Sequence, residues 1–153
     1  MTTHEYDRDA VLGVMNSILE AELAGVVRYT HYSFMVFGFS RIPIVSWLRD
    51  QATESLVHAQ AVGEHITTLG GHPSLGIGKL LESEQHDIAG ILRELLDHER
   101  MALGLYRKLL ALVEGRDVVI EEYARQMIAA ESHDISEVDK MLRAPGALQP
   151  FAG

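Results

Sequence analysis

The chain has 153 residues, a net charge of −9, no cysteine and 47% apolar residues, which suits one globular domain spanning residues 1–153. The missing thiols exclude a disulfide framework, a thiolate metal site and a Cys nucleophile. The negative charge argues against nucleic acid, whose phosphates need a surplus of Lys and Arg. The start, Met1 to Ala10, carries His4, Glu5, Asp7, Arg8 and Asp9 and lacks the form of a signal peptide. The apolar run from Phe34 to Leu48 is broken by Arg41 and Pro43 and is too short to span a bilayer. A cytoplasmic protein with no membrane partner is expected.

Four helices are predicted in chain order. The first runs from Arg8 to about Phe37, with Val11, Met15, Ile18, Glu22, Gly25, Val26 and Tyr29 at steps of three and four. Glu22 falls inside that apolar stripe, where an unpaired carboxylate is costly. The second helix runs from about Ile44 to Leu69, with Pro43 suited to its first turn and Gly70-Gly71-His72-Pro73 stopping it. The Gly-rich connection from Gly70 to about Ser83 is long enough to travel the length of a bundle. It predicts a crossover between helices two and three rather than a simple up-down-up-down arrangement. The third helix spans about Glu84 to Val113, Gly115-Arg116-Asp117 makes a short turn, and the fourth spans about Val118 to Leu142. Pro145-Gly146 ends it, leaving a short apolar tail with Pro150 and Phe151. The fold class is all-α, a four-helix bundle.

The two halves share a spacing. Glu22 is followed seven residues on by Tyr29, and Glu99 seven residues on by Tyr106. Glu54 stands 32 residues after Glu22, and Glu131 stands 32 residues after Glu99. His58 follows Glu54 by four residues and Asp134 follows Glu131 by three, so each pair shares a helix face. Two hairpins thus bring Glu22, Glu54, His58, Glu99, Glu131 and Asp134 to mid-bundle, the arrangement of a di-metal site. His133 is two residues from Glu131 and reaches the site only through a local distortion such as a π-bulge; Asp134 is the favoured ligand. Such oxygen-rich ligation with one imidazole suits Fe, Mn or Zn. Two such metals bridged by carboxylates can reduce dioxygen or peroxide while Fe(II) is oxidised. Tyr29 and Tyr106 are core residues by position, and each can also hydrogen-bond a ligating carboxylate. His65 is a weaker candidate for that outer role. Glu94 and His98 form an i,i+4 pair on the flank of the third helix, where solvent is expected.

These residues resemble the ferritin-like superfamily, and bacterioferritins within it, over residues 10 to 143. The resemblance rests on Glu22-Leu23 with Tyr29, His58-Ala59, Glu64 with the Leu69–Leu75 segment, and Glu99. It implies a di-iron site with Glu22 and Glu99 as terminal ligands and with bridging Glu residues from the second and fourth helices, Glu54 and Glu131. The chain departs from the family's Glu-x-x-His motifs twice. Ser55 stands three residues before His58, with Glu54 one place early; Asp134 stands where the fourth-helix His belongs, with His133 one place early. Bacterioferritins also hold haem through a Met beside the second-helix Glu. Leu56 or Ser55 occupies that position, so Met-ligated haem is not expected.

The resemblance implies a homo-oligomer that oxidises Fe(II) with oxygen or peroxide, a ferroxidase-type activity, and stores the iron in a shell. A di-iron or di-manganese oxidase or peroxidase without storage, and a metal-free structural bundle, are the alternatives. A closed cage separates storage from the enzyme reading, and failure to take up metal points to the structural one.

Overall fold

Asp7, Asp87 and Asp117 each precede an apolar stripe, and each accepts backbone N–H groups: from Ala10, from Gly90, and from Val119 and Ile120. This is N-capping, which satisfies donors left free in a first helical turn. In the computed structural model, which describes residues 6–80 and 86–151, these caps start α1 (Arg8–Phe34), α3 (Ile88–Val113) and α4 (Val118–Leu142). The remaining helix, α2 (Arg41–Thr68), follows Ser40, which makes no side-chain cap bond. Among the described residues the architecture is these four helices and no strand.

Three boundaries differ from the sequence expectation. The first helix stops at Phe34 because Arg41 Nη1 donates to the carbonyls of Ser33 and Val36, at 3.4 and 2.8 Å. A further turn would have aimed those carbonyls at amides of its own. The second helix starts at Arg41, which places Pro43 in the first turn, where its missing N–H costs nothing. The third starts at Ile88; its expected start near Glu84 falls in residues 81–85, outside the described ones, as do residues 1–5 of the charged start. The end of α2 is a Schellman motif: Gly70 N donates to Thr67 O and Gly71 N to Ile66 O, both at 2.9 Å, with Gly70 at φ +79°.

The connection after α2 runs along α1. Ser74 N donates to Asn16 Oδ1, Gly78 N to Glu20 O, and Arg28 Nη1 to Lys79 O. Its contacts climb α1 from Asn16 to Arg28, roughly 18 Å of helix. The chain is thereby carried to the other end of the bundle before α3 begins. Helix α3 then descends antiparallel to α1, pairing Tyr32 with Glu94, Tyr29 with Glu99 and Glu22 with Tyr106. This is the predicted crossover.

The core forms two apolar clusters. One gathers Met15, Ile18, Val62, Ile66, Leu109 and Ile120; the other gathers Tyr32, Leu48, Ile91, Leu95, Leu96 and Val138. Burying each large aliphatic side chain contributes about 1.5–3 kcal/mol. A layer of buried polar groups lies between: Glu22, Ser55, His98, Glu99, Glu131 and Asp134. Helix α1 is long and apolar enough to cross a membrane by length and composition, but 50% of its most apolar window is buried in the bundle. At the end of α4, Asp139 accepts from Arg143 Nε at 2.6 Å and from Phe151 N at 2.9 Å, folding the tail back onto the second cluster.

Candidate metal centre

Each carboxylate in the polar layer lies on the inner face of its helix. Two groups of possible ligand atoms form, each with all its atoms within 4.8 Å of one another: Glu22, His58 and Glu131, and Glu99, Glu131 and Asp134. Glu131 belongs to both, so one carboxylate from α4 can bridge two cations. His58 turns Nδ1 inward, 3.4 Å from Glu22 Oε2 and 3.8 Å from Glu131 Oε1. Its Nε2 faces outward, 3.6 Å from Glu54 Oε1. Glu54, expected as a second bridge, lies in neither group, and its side chain is 36% exposed against 4% for Glu22 and 3% for Glu131. Asp134 is buried inside the second group, whereas His133 is exposed.

The two tyrosines are wired reciprocally across the bundle. Tyr106 of α3 donates to Glu22 Oε1 of α1 at 3.1 Å, and Tyr29 of α1 donates to Glu99 Oε1 of α3. The seven-residue Glu-to-Tyr spacing in both hairpins produces this exchange, because α1 and α3 run antiparallel. Each bond leaves the other oxygen of its carboxylate for a cation and fixes the carboxylate plane.

The electrostatics of the layer are those of crowded like charges. Burial raises the pKa of Glu99, and the Glu22 charge adds to it. Burial, then Glu99, raises Glu131 far above the carboxylate range. Burial, with Glu54 and Glu99 behind it, lifts Asp134 to about 7. For His58 burial acts downward, but Glu22, Glu54 and Asp134 outweigh it and its pKa is raised. Glu131 Oε2 is buried with no hydrogen-bond partner. A set of oxygen donors that must otherwise hold protons, one with an unmatched lone pair, fits divalent cations.

His98 departs from the sequence reading. It is 7% exposed, sits edge-on to the Tyr29 ring with centroids 6.4 Å apart, and its pKa is pushed down to about 4, by burial first and then by Arg28. Room for it comes from Gly25: a Cβ there would lie 2.8 Å from Ser55 Oγ and 3.1 Å from His98 Nε2. On its outer side His98 lines a cavity of about 460 Å³ between α1, α3 and the crossover. His65 packs against Tyr123 in a tilted arrangement with ring centroids 4.4 Å apart, and the Tyr123 ring in turn meets Tyr106 edge-on. His65 therefore touches the centre only through two tyrosines.

The family model of the ferritin-like domain matches residues 13–145. The fold is similar to that of a ferritin-like diiron-carboxylate protein from Bacillus anthracis, with a TM-score of 0.85 and 22% identity over 89% of this chain and 97% of that one. It is similar to a dodecameric thioferritin, a bacterioferritin-related protein from Bacteroides fragilis, with a TM-score of 0.84 and 21% identity over 90% and 87% of the two chains. It is also similar to the bacterioferritin of Rhodobacter capsulatus, with a TM-score of 0.78 and 22% identity over 93% and 86%. No curated protein sequence matches the chain. At these identities the structural likeness is one of fold; the match of the family model, which runs through all four helices and both carboxylate groups, makes the chain a member of the ferritin-like family.

Proposed function

We propose that this chain binds two divalent cations per subunit and oxidises Fe(II) with oxygen or peroxide. The observation that carries this reading is Glu131, shared by both ligand groups with a buried, unpartnered oxygen. Glu22 and His58 complete one position, and Glu99 and Asp134 the other. Paired Fe(II) substrates deliver two electrons together, the number needed to take dioxygen to peroxide or peroxide to water. The protein's part is to hold the pair and to move protons. Tyr106 and Tyr29 fix Glu22 and Glu99, the apolar clusters above and below exclude water, and Asp134, Glu99 and Glu131 release protons as cations bind. The likeness to a diiron-carboxylate protein from Bacillus anthracis and to a dodecameric thioferritin from Bacteroides fragilis supports this reading and a homo-oligomer; a cytoplasmic location and iron storage belong to the proposal itself.

The test is an anaerobic Fe(II) titration of the metal-free protein, followed by air or peroxide. The readings are bound iron per chain and the near-ultraviolet absorbance of oxidised iron. Saturation near two per chain, with fast oxidation that Glu131→Ala abolishes, is the expected result. No binding above background sinks the proposal, and binding without oxidation leaves a di-metal protein that is not a ferroxidase.

A further inference from the structure

The outward side of His58 has a role that the ligand groups do not use. We propose that Glu54 is a positioning residue: it accepts the Nε2–H of His58 and so keeps the Nδ1 lone pair directed at the cation held with Glu22 and Glu131. This rests on the di-metal reading above and changes the part played by one of its residues.

Three observations carry it. His58 has one nitrogen facing each way: Nδ1 lies 3.4 Å from Glu22 Oε2 and Nε2 lies 3.6 Å from Glu54 Oε1. A neutral imidazole has one N–H and one lone pair, and carboxylates flank both nitrogens; with a cation between Glu22 and Glu131 taking the Nδ1 lone pair, the N–H falls to Nε2, where Glu54 is the carboxylate that can receive it. Glu54 is outside both ligand groups and is half-buried at the edge of the layer, while Glu22, Glu99 and Glu131 are buried within it. The place three residues before His58, the one that would point most directly into the layer, is held by Ser55, which lies against Gly25 beside His98.

The sequence position explains the change of role. Moving a carboxylate by one residue along a helix rotates it about 100° around the axis. Glu54 therefore lies at the outer edge of the imidazole, where its carboxylate also meets that of Asp134. A carboxylate that receives the second N–H of a metal-binding His raises the basicity of the ligand and locks its ring orientation. The 3.6 Å separation is an ion-pair distance and exceeds a hydrogen bond; a rotation of the half-buried Glu54 side chain would be needed to close it.

Cobalt(II) binding to the metal-free protein under argon tests this, because cobalt reports ligand number through its visible absorption bands without any turnover. Wild type should take two cobalt ions per chain. Glu54→Ala should still take two, with the same spectrum at saturation, but with affinity at one position weakened about 10- to 100-fold, as removal of such a partner does. Glu54→Gln, whose amide oxygen still accepts an N–H, should recover to within about 3-fold of wild type. In the zinc-loaded protein, nitrogen-15 NMR should find the His58 proton on Nε2. Saturation at one cobalt per chain for Glu54→Ala, or a changed spectrum at saturation, makes Glu54 a ligand and overturns the proposal. Unchanged affinity, or a proton on Nδ1, overturns it as well. If wild type itself binds no cobalt, it is the di-metal reading that has failed.

Discussion

Glu131→Gln separates what the polar layer costs from what it binds. Glu131 is 2% exposed, its Oε2 is unpartnered, and burial together with Glu99, Glu22 and Asp134 holds its pKa far above the ordinary range. Without a cation, burial and the neighbouring carboxylates favour its protonated form. Taking up that proton, against an unfolded carboxylate of pKa about 4.3, costs about 1.4 kcal/mol per pH unit, or about 3–4 kcal/mol as an upper bound. Glutamine has nearly the same shape and needs no proton. Burying its amide without full hydrogen bonding returns part of the gain, so the variant should be more stable than wild type by about 1–2 kcal/mol in chelator at pH 7. For a chain of this length that is a rise in Tm of about 3–6 °C. The gain should vanish near pH 4.5, where unfolded wild type binds the proton too. Zinc should reverse the order: wild type gains about 2.7 kcal/mol at a hundredfold excess over Kd, while the variant, lacking the shared carboxylate, gains little. Thermal unfolding followed by circular dichroism, in chelator at both pH values and then with zinc, reads all of this. A variant less stable than wild type in chelator at pH 7 would refute the reasoning, since Glu131 would then be favourably held by the protein alone. Equal stabilisation of both proteins by zinc would remove Glu131 from the site.

The same linkage governs the metal-free wild type. Asp134, lifted to about 7, and Glu99 and Glu131, also raised, bind protons in the folded state that the unfolded chain has lost above about pH 4, so stability falls as pH rises from about 4 to 7. His58, raised, adds to the loss as pH climbs past 6.5; His98, held near 4, and His65, lowered by burial, oppose it, their contribution being lost as pH falls below 6.5. Three raised carboxylates and His58 outweigh two lowered imidazoles, so Tm in chelator should drop by about 5 °C between pH 5 and 7.5; a Tm that rises over that interval would contradict the raised carboxylates. Gly25→Ala places a Cβ 2.8 Å from Ser55 Oγ and 3.1 Å from His98 Nε2. It should cost about 1–3 kcal/mol in denaturant unfolding, and no measurable loss would mean that the two side chains give way freely.

The bundle was legible where local chemistry decides. Helix α4 runs from Val118 to Leu142 as expected, because Asp117 caps its start and Pro145-Gly146 lies just beyond its end. The paired 32-residue spacings locate Glu22, Glu99 and Glu131 at one depth because both hairpins are built alike. What was not legible depends on partners elsewhere in the chain. The end of α1 is set by Arg41, seven residues past Phe34, whose guanidinium takes carbonyls near the break. The burial of His98 is set by Gly25 on another helix, and nothing in the α3 stripe signals that gap. Glu54 and His58 share a face by spacing, yet the 40° between them, roughly, is enough to leave one facing the layer and the other at its rim.

The repeat that makes the two hairpins alike fails at one place, and that failure has a consequence for the metals. Where one group contains the imidazole of His58, the other contains only the oxygens of Glu99, Glu131 and Asp134. Imidazole suits zinc, whereas carboxylates alone suit manganese or magnesium. The two positions should therefore sort a mixture. One equivalent of zinc, added first, should occupy the position with His58 and Glu22; manganese added afterwards should fill the all-oxygen position to about one per chain, read by electron paramagnetic resonance. His58→Ala should abolish the sorting while leaving the oxygen position able to bind manganese, because His58 contributes no atom to that group. If zinc and manganese displaced each other equally from both positions in wild type, the asymmetry between His58 and Asp134 would have no chemical effect, and Glu131 would be bridging two equivalent ions.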